Sequence, residues 1–299
     1  MSFEDENASE ILDETGQDDE EDGDEAGEVS AAEATRFGPT DNYDRIAYFY
    51  DLEYRYRRQD VRFYLEMARR AGSKSRILEV ACGTGRVSQK LLEAGFSVTG
   101  LDISKEMLRL AEKKLAESSK EIRERGRYVQ GDMRDLDAAL GNQEFDLIFI
   151  AINSFQHLRS QADQLTCLQS IRKHVAPAGR FIIDVFNPED KESFAADGRM
   201  EYAGPMYNPL NQTYIHVFVS TIAHLAQQKR VHHYFYDETL EDGTVKRTVN
   251  VFNLRYLYRF ELQLLLEKAG FSIEDLYGDY DFEEYGEGSP KLLYVCRRG

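Results

Sequence analysis

The chain has 299 residues, and its 54 Asp and Glu residues outnumber its 37 Lys and Arg residues, which gives a net charge of −17 at pH 7. It contains no apolar run close to the roughly 20 residues that cross a membrane, and its acidic N-terminus lacks the basic and then apolar pattern of a secretory signal. The three cysteines are widely spaced and form no C-x-x-C pair, which argues against a disulfide framework and against a zinc cluster. We therefore expect a cytoplasmic protein without a membrane partner.

Most of the negative charge lies in residues 1–35, which hold 15 acidic and no basic residues and leave 39 acidic against 37 basic residues in the rest of the chain. This segment has too few apolar side chains to offset the entropy lost on ordering. We predict a disordered acidic tail over residues 1–35, solvated rather than docked on a basic partner, and a folded domain over residues 36–299. The folded part has no Lys or Arg stripe, which argues against a nucleic-acid partner.

An aromatic-rich helical segment opens the folded part. Residues 36–72 are predicted to form a helical cover, with one helical pattern over residues 43–71 that ends at Gly72. Over residues 73–188, short apolar strands alternate with helices, which is typical of a parallel sheet covered on both faces. This order predicts a doubly wound, Rossmann-like α/β core. The predicted strands are residues 77–81, 96–101, 127–130, 145–150 and 180–186.

The pattern changes after this core. Residues 189–257 contain alternating segments joined by polar turns, and they predict an antiparallel β insertion. Residues 258–299 predict a closing helix followed by two strands. The predicted strands of the insertion are residues 213–225, 230–238 and 245–256, and those of the C-terminal part are residues 271–277 and 292–296.

The first predicted strand leads into a glycine loop over residues 81–85, which includes Gly83 and Gly85. A glycine loop between a strand and a helix lets the backbone approach a ligand at the carboxyl edge of the sheet. Asp102 ends the second strand, where its carboxylate can accept hydrogen bonds from both hydroxyls of a ribose. The order of strand, loop, helix and acidic strand end predicts a nucleoside site.

Two classes of cofactor use such a loop. A dinucleotide enzyme prefers a third glycine where this chain has Ser88, and a carboxylate at Glu79, just before the loop, would repel a pyrophosphate. Glu79 would instead attract a ligand with a positively charged amine. This position favours an aminoacyl nucleoside over NAD.

A second group of residues follows the third predicted strand. Asp132 can accept a hydrogen bond from the exocyclic amine of an adenine, and the backbone N–H of Met133 can donate to a ring nitrogen. Ile103 and Met107 can supply apolar contacts to the two faces of that ring. Together with the glycine loop and Asp102, these residues favour an adenine nucleoside.

Three stretches, residues 77–85, 101–104 and 131–133, resemble the class I S-adenosylmethionine-dependent methyltransferases. Residues 50–52 and 153–158 are most similar to small-molecule members, among them the bacterial N,N-dimethyltransferases of amino sugars. The resemblance extends from about Tyr43 to the C-terminus, and it implies a final hairpin with a reversed strand. Residues 59–61 depart from the Lys-Asp-Tyr run of many amino-sugar members.

The resemblance implies S-adenosyl-L-methionine as the cofactor and assigns a part of it to each motif. The loop and Glu79 are expected to hold the methionine portion, Asp102 the ribose, and Asp132 with Met133 the adenine. Ala81 stands where many members have the first glycine of the loop, which is compatible with the loop if its φ is negative. The expected cofactor-binding residues are Arg57, Glu79, Ala81, Cys82, Gly83, Gly85, Asp102, Ile103, Met107, Asp132 and Met133.

Methyl transfer from a sulfonium is an in-line displacement, so the enzyme mainly has to align the reacting atoms and exclude water. His157 follows the fourth strand and is the candidate catalytic residue that receives a proton from an amine. Tyr50 is the second candidate, as a lid and hydrogen-bond donor. The four histidines of the insertion have strand spacing without a carboxylate in register, so no metal is expected.

The predicted function is methyl transfer to a nitrogen or oxygen atom of a small-molecule acceptor, by a protein that could form a homodimer. A peptide methyltransferase is one alternative, because an acidic tail could engage basic chains. A non-catalytic S-adenosylmethionine-binding or scaffold protein is another, since it would keep Asp102 and the glycine loop with a blocked acceptor pocket. A nicotinamide oxidoreductase is the third, and it predicts tight NAD(H) binding.

Overall fold

The structure is a computed structural model that describes residues 39–189 and 196–299, so the predicted acidic tail lies outside the described residues. Seven strands form the main sheet, in the spatial order β10, β11, β5, β4, β1, β2, β3. All neighbours pair in parallel except β11, which runs antiparallel to both β5 and β10. The strands are β1 (Arg76–Val80), β2 (Ser97–Asp102), β3 (Gly126–Gln130), β4 (Phe145–Ile150), β5 (Val175–Phe186), β10 (Phe271–Tyr277) and β11 (Lys291–Arg298).

Helices cover both faces of this sheet, because neighbouring strand residues point to opposite sides. Leu78 belongs to an apolar cluster with α6, α7 and α8, whereas Ile77 belongs to a cluster with α2 and α3 on the other face. The doubly wound, Rossmann-like fold with a reversed C-terminal strand is therefore confirmed. The helices are α1 (Pro39–Glu53), α2 (Gln59–Ala71), α3 (Arg86–Glu93), α4 (Lys105–Ala116), α5 (Lys120–Arg123), α6 (Leu136–Leu140), α7 (Gln161–His174) and α8 (Arg259–Lys268).

A second, antiparallel sheet follows β5 and has four strands in the order β6, β7, β8, β9. Three of them match the predicted insertion, but the edge strand β6 was not predicted. It contains Gly198, Gly204 and Pro205, and its register with β7 shifts twice. These are features of an edge strand with bulges, which weaken an alternating pattern. The strands are β6 (Asp197–Asn208), β7 (Thr213–His224), β8 (Lys229–Thr239) and β9 (Val245–Arg255).

The predicted helical cover consists of two helices, since the chain leaves the helical conformation between α1 and α2 at residues 54–58. Helix α1 lies between the two sheets, where Phe49 stacks on Tyr236 of β8 with ring centroids 4.6 Å apart. Ile46 belongs to the same apolar cluster as Ile215 and Val217 of β7. Helix α1 therefore joins the antiparallel sheet to the parallel core. Within residues 39–189 and 196–299, no helix is long and apolar enough to cross a membrane.

Candidate active site

A cavity of about 220 Å³ lies at the carboxyl ends of β1, β2, β3 and β4, with α1 on one side. Such an edge is where ligands bind in open α/β sheets. The structure brings nine of the thirteen predicted site residues to its walls and leaves four behind them. The nine are Tyr50, Ala81, Gly83, Asp102, Ile103, Met107, Asp132, Met133 and His157, and the four are Arg57, Glu79, Cys82 and Gly85.

The glycine loop lines the cavity with backbone. Gly83 has a φ of +55°, and a Cβ added there would lie 3.8 Å from the ring of Tyr50 and 4.0 Å from Sδ of Met107. A side chain would therefore fill the space in which a ligand can approach the loop. Ala81 also lines the cavity, and its φ is +58°. The negative φ that would make alanine compatible with this position is not found, and Ala81 instead has the left-handed conformation that glycine adopts more readily.

Asp102 is fixed in place by the backbone. Its Oδ2 accepts a hydrogen bond from the N–H of Gly83 at 2.7 Å, and its Oδ1 accepts one from the N–H of Ser104 at 2.9 Å. Burial raises the pKa of this carboxyl group, and the backbone N–H donors oppose that rise. Each oxygen of a carboxylate accepts more than one hydrogen bond, so Asp102 keeps acceptor capacity for ligand hydroxyls. Ser104 also caps α4 by accepting a hydrogen bond from the N–H of Met107.

Asp132 lines the cavity after β3 and is paired with a basic residue. Arg134 donates to both of its carboxylate oxygens, and this contact lowers the pKa of Asp132 below its usual range. Arg134 also bonds Asp163 at 2.9 Å. Asp132 is therefore ionised and held on the cavity wall beside Met133. Its predicted contact with an adenine amine stays a prediction.

Glu79 lies behind the loop. One of its oxygens accepts hydrogen bonds from the backbone N–H of Ser88, at 2.9 Å, and from the Ser88 hydroxyl. Burial raises the pKa of Glu79 to about 7. Glu79 does not line the cavity. Its hydrogen bonds instead hold the start of α3 against β1.

The other three predicted residues that do not line the cavity contact neighbouring parts of the protein instead. A Cβ on Gly85 would overlap the hydroxyl of Tyr128, so Gly85 allows close packing. Cys82 is buried. Arg57 is exposed, and its carbonyl oxygen accepts a hydrogen bond from Arg86 at 3.1 Å. None of these three side chains lines the cavity.

His157 faces the cavity from the end of the 3₁₀ helix Ser154–His157, which follows β4. Its Nε2 lies 2.6 Å from the hydroxyl of Tyr43 in α1, and the ring of Phe252 in β9 packs against both rings. Burial lowers the pKa of His157 to about 4 and raises that of Tyr43 well above its ordinary value. Both groups are therefore uncharged near pH 7.

Tyr43 is a residue of the cavity wall that the sequence pattern does not single out. It lies 114 positions from His157 in the chain, and no local pattern links the two. The only signal was the density of aromatic residues in α1, which includes Tyr50 as well. Tyr50 is half-buried beside the loop, and burial raises the pKa of its hydroxyl. Both tyrosines therefore present protonated hydroxyl groups at the cavity.

Two carboxylates of α1 attach it to the loops of the core. Asp44 accepts from the hydroxyl of Ser104, and Asp51 accepts from the hydroxyl of Thr84 at 2.5 Å. Lys114 of α4 adds an ion pair with Asp51 at 2.6 Å. These contacts fix the helix that carries Tyr43 and Tyr50. Among the described residues, no group of three or more His, Cys, Asp or Glu side chains is arranged to hold a metal ion.

Comparison with known proteins identifies the core. Residues 77–179 match the family described as a methyltransferase domain. These residues, about a third of the chain, are similar to a methyltransferase domain. The predicted resemblance to S-adenosylmethionine-dependent methyltransferases is thereby confirmed.

Relatives and a solved structure show how far this similarity extends. The chain is 37% identical over 112 residues to the putative methyltransferase YqeM of Bacillus subtilis (strain 168), and the aligned region covers 38% of this chain and 42% of that protein. It is 26% identical over 222 residues to the cypemycin N-terminal methyltransferase of Streptomyces sp, and this aligned region covers 74% of this chain and 82% of that protein. The structure of the sugar N-methyltransferase KedS8 from Streptoalloteichus sp ATCC 53650 has a TM-score of 0.65 and 22% identity over 84% of this chain and 93% of that chain. This last similarity shows a shared fold.

The methyltransferase domain does not contain the whole cavity. Asp102, Asp132 and His157 lie within residues 77–179, whereas Tyr43 and Phe252 lie outside them. The part of the cavity with the glycine loop thus belongs to the matched domain. The part around His157 depends on α1 and the antiparallel sheet.

Proposed function

We propose that this protein transfers a methyl group from S-adenosyl-L-methionine to the nitrogen of a small-molecule amine. The observation that carries the proposal is the pairing, across one cavity, of a nucleoside-type wall with an uncharged His157 and Tyr43. When bound, the cofactor supplies an electrophilic methyl group on a sulfonium. The residues of the chain then have to bind, align and exclude water.

The wall at the carboxyl ends of β1 to β3 fits the cofactor. The space in front of Gly83 lacks a side chain, so the loop backbone can approach the methionine portion. Asp102 offers fixed acceptor oxygens to the ribose hydroxyls, and such charge-assisted bonds are the strong ones. Asp132 and Met133 are placed for the adenine edge, with Ile103 and Met107 on the same wall.

The opposite wall favours an amine acceptor over an alcohol. An imidazole with a pKa of about 4 is too weak a base to remove a proton from an alcohol, whose pKa lies far higher. A neutral amine already has a lone pair for in-line attack, and its methylated ammonium product can release a proton to water after it leaves the cavity. His157 and Tyr43 can therefore hold this amine by hydrogen bonds, and neither has to act as a strong base.

A peptide N-terminus is the second acceptor that a specific observation favours. The relative from Streptomyces sp is an N-terminal methyltransferase by its name, and it matches across most of the chain. The amino group of a peptide has the same chemistry as that of a small amine. The two proposals therefore differ in the molecule that carries the amine, and both use the catalytic wall formed by His157 and Tyr43.

The test is incubation of the protein with methyl-labelled S-adenosylmethionine and three kinds of amine, namely an amino-sugar nucleotide, glycine and a short peptide. We expect label in a small amine, and label in the peptide alone would replace the acceptor by a peptide. Binding of S-adenosylhomocysteine without any labelled product would favour a scaffold protein. Calorimetry that shows tighter binding of NAD(H) than of S-adenosylhomocysteine would contradict the cofactor.

Variants of the catalytic wall sharpen this test. Tyr43→Phe and His157→Gln are each expected to lower turnover by about 10²-fold, since a misplaced reacting group loses on the order of 10² in rate. S-adenosylhomocysteine should bind both variants as it binds the wild type, because neither side chain belongs to the nucleoside wall. Turnover equal to that of the wild type would remove the altered residue from the mechanism.

A further inference from the structure

A buried carboxylate lies behind the wall that carries His157. Asp184 of β5 has no solvent exposure, and its Oδ2 accepts hydrogen bonds from the hydroxyls of Tyr280, at 2.6 Å, and Tyr64, at 3.3 Å. The ammonium group of Lys291, at the start of β11, donates to Oδ1 at 2.9 Å. Neither Asp184 nor Lys291 lines the cavity, so the proposed methyl transfer gives them no direct role.

The same pair contacts the turn at the end of β4. The N–H of Ile152 donates to Oδ2 of Asp184 at 3.0 Å, and the N–H of Asn153 donates to the carbonyl oxygen of Asp184 at 3.0 Å. Lys291 also donates from Nζ to Oδ1 of Asn153 at 3.1 Å. Two consecutive residues are thus tied to β5 and β11.

This turn has an unfavourable backbone conformation. Ile152 and Asn153 have φ values of +47° and +62°, in the left-handed region, which costs a non-glycine residue about 1–2 kcal/mol. Asparagine tolerates the region better than a β-branched isoleucine does. Such strain persists only where the surroundings hold it, and it clusters at functional sites. The contacts to Asp184 and Lys291 are the surroundings that hold it here.

The turn determines the position of the catalytic wall. Ile152 itself lines the cavity, and Asn153 directly precedes the 3₁₀ helix that carries Ser154 and His157 into it. Rotation of this turn would move His157 away from Tyr43, whose position is set separately by α1. The 2.6 Å contact between the two side chains therefore depends on both supports.

We propose that Asp184 and Lys291 are positioning residues, which hold the left-handed turn at Asn153 and thereby set where His157 meets Tyr43 and the methyl acceptor. The proposal rests on the proposed function. Stability alone does not explain the pair, because well-packed apolar residues are often as stabilising as a buried ion pair. An apolar pair could not supply directed hydrogen bonds to Ile152 and Asn153.

Asn153→Gly is the variant that tests this role. Glycine adopts the left-handed conformation without strain, so the variant should fold. It also adopts many other conformations and lacks the side chain that Lys291 holds, so the turn is no longer fixed in one conformation. We expect turnover in the methyl-transfer assay to fall about tenfold to a hundredfold, as displaced catalytic groups do. S-adenosylhomocysteine should still bind within about twofold of the wild type, because effects at separate sites are nearly additive.

A readout independent of activity is the titration of His157, followed by NMR in protein labelled with ¹⁵N-histidine and assigned with His157→Gln. In the wild type, His157 should titrate near pH 4. In Asn153→Gly its pKa should rise towards the ordinary value of 6.5, because the displaced ring becomes more solvated. This measurement needs neither cofactor nor acceptor.

Two matched variants control the comparison. Asn153→Asp keeps an acceptor oxygen for Lys291 and should keep turnover above that of Asn153→Gly, whereas its new carboxylate changes the His157 titration by charge alone. Tyr64→Phe removes a donor from the same oxygen of Asp184 without contacting the turn, so it should leave His157 unchanged. An unchanged His157 titration in Asn153→Gly, turnover in Asn153→Asp as low as in Asn153→Gly, or an equal titration shift in Tyr64→Phe would overturn the positioning role. If the wild type fails to bind S-adenosylhomocysteine, the proposed function fails instead, and the NMR comparison still decides the role of the turn.

Discussion

The half of the cavity that faces β2 and β3 is built from strand tips within residues 79–133, whereas the half that faces β4 combines distant segments. In the first half, the key contact joins Gly83 to Asp102, 19 positions apart. In the second half, Tyr43 meets His157 across 114 positions, and Phe252 packs on both. The wall with Gly83 and Asp102, proposed to bind the nucleoside, thus follows from one supersecondary unit. The wall with Tyr43 and His157, proposed to hold the acceptor and here called the acceptor wall, requires the assembled fold.

The two halves also differ in how burial acts on their titratable groups. Burial raises the pKa of Glu79 to about 7 and lowers that of His157 to about 4. In each case the uncharged form is favoured, because burial penalises charge. The same physical cause therefore produces opposite pH dependences on the two sides.

The largest expected effect separates the two walls by ligand affinity. Asp102→Ala should weaken the binding of S-adenosylhomocysteine by about 1–3 kcal/mol, because the ribose loses charge-assisted hydrogen bonds. Calorimetry measures this change, and Tyr43→Phe on the opposite wall is the matched control that should bind normally. Equal affinities of Asp102→Ala and the wild type would show that the ribose does not contact this carboxylate.

The second prediction uses the opposite pH dependences. The folded protein holds a proton on Glu79 between pH 4.5 and about 7, so this group's contribution to stability is lost as the pH rises through that window. The folded protein lacks the proton that unfolded His157 binds between about pH 4 and 6.5, so stability falls there as the pH falls. Each group should change the free energy of unfolding by on the order of 2 kcal/mol across its window.

Urea unfolding from pH 4 to pH 8 measures both contributions. Glu79→Gln should reduce the loss of stability on the alkaline side, and His157→Gln should reduce the loss on the acidic side, to which His232 also contributes because burial lowers its pKa to about 4. Each variant serves as the control for the other. If the free energy of unfolding of a variant changes with pH as that of the wild type does, the replaced group is not held uncharged in the folded protein.

The smallest expected effect concerns Ala81, the left-handed residue of the glycine loop. Ala81→Gly should stabilise the protein by about 0.5–1 kcal/mol, because the relief of left-handed strain exceeds the entropy cost of glycine. Ala116→Gly, at the exposed end of α4, should destabilise by a similar amount. Chemical unfolding at constant pH compares the two, and a loss of stability in Ala81→Gly would show that its side chain makes contacts that outweigh the strain.

The core and the nucleoside wall could be predicted because their signals are local. The strand ends, the capping role of Ser104 and the loop at Gly83 follow from short patterns, in which the backbone requirement and the residue type coincide. Two local predictions were wrong or incomplete for identifiable reasons. Ala81 takes a left-handed φ that alanine disfavours by itself, and β6 carries glycines, a proline and register shifts that hide its alternation.

The sequence by itself determined the parallel α/β core, the glycine loop with its acidic partner, and hence the class of cofactor, because hydrophobic periodicity and turn chemistry act over a few residues. Only the tertiary structure decided which side chains form the acceptor wall. Helix α1 reaches that wall through contacts of Asp44 and Asp51 with the core, and the turn at Asn153 is held by Asp184 and Lys291. Such contacts join residues far apart in the chain, and their geometry exists only after the two sheets and α1 have packed together.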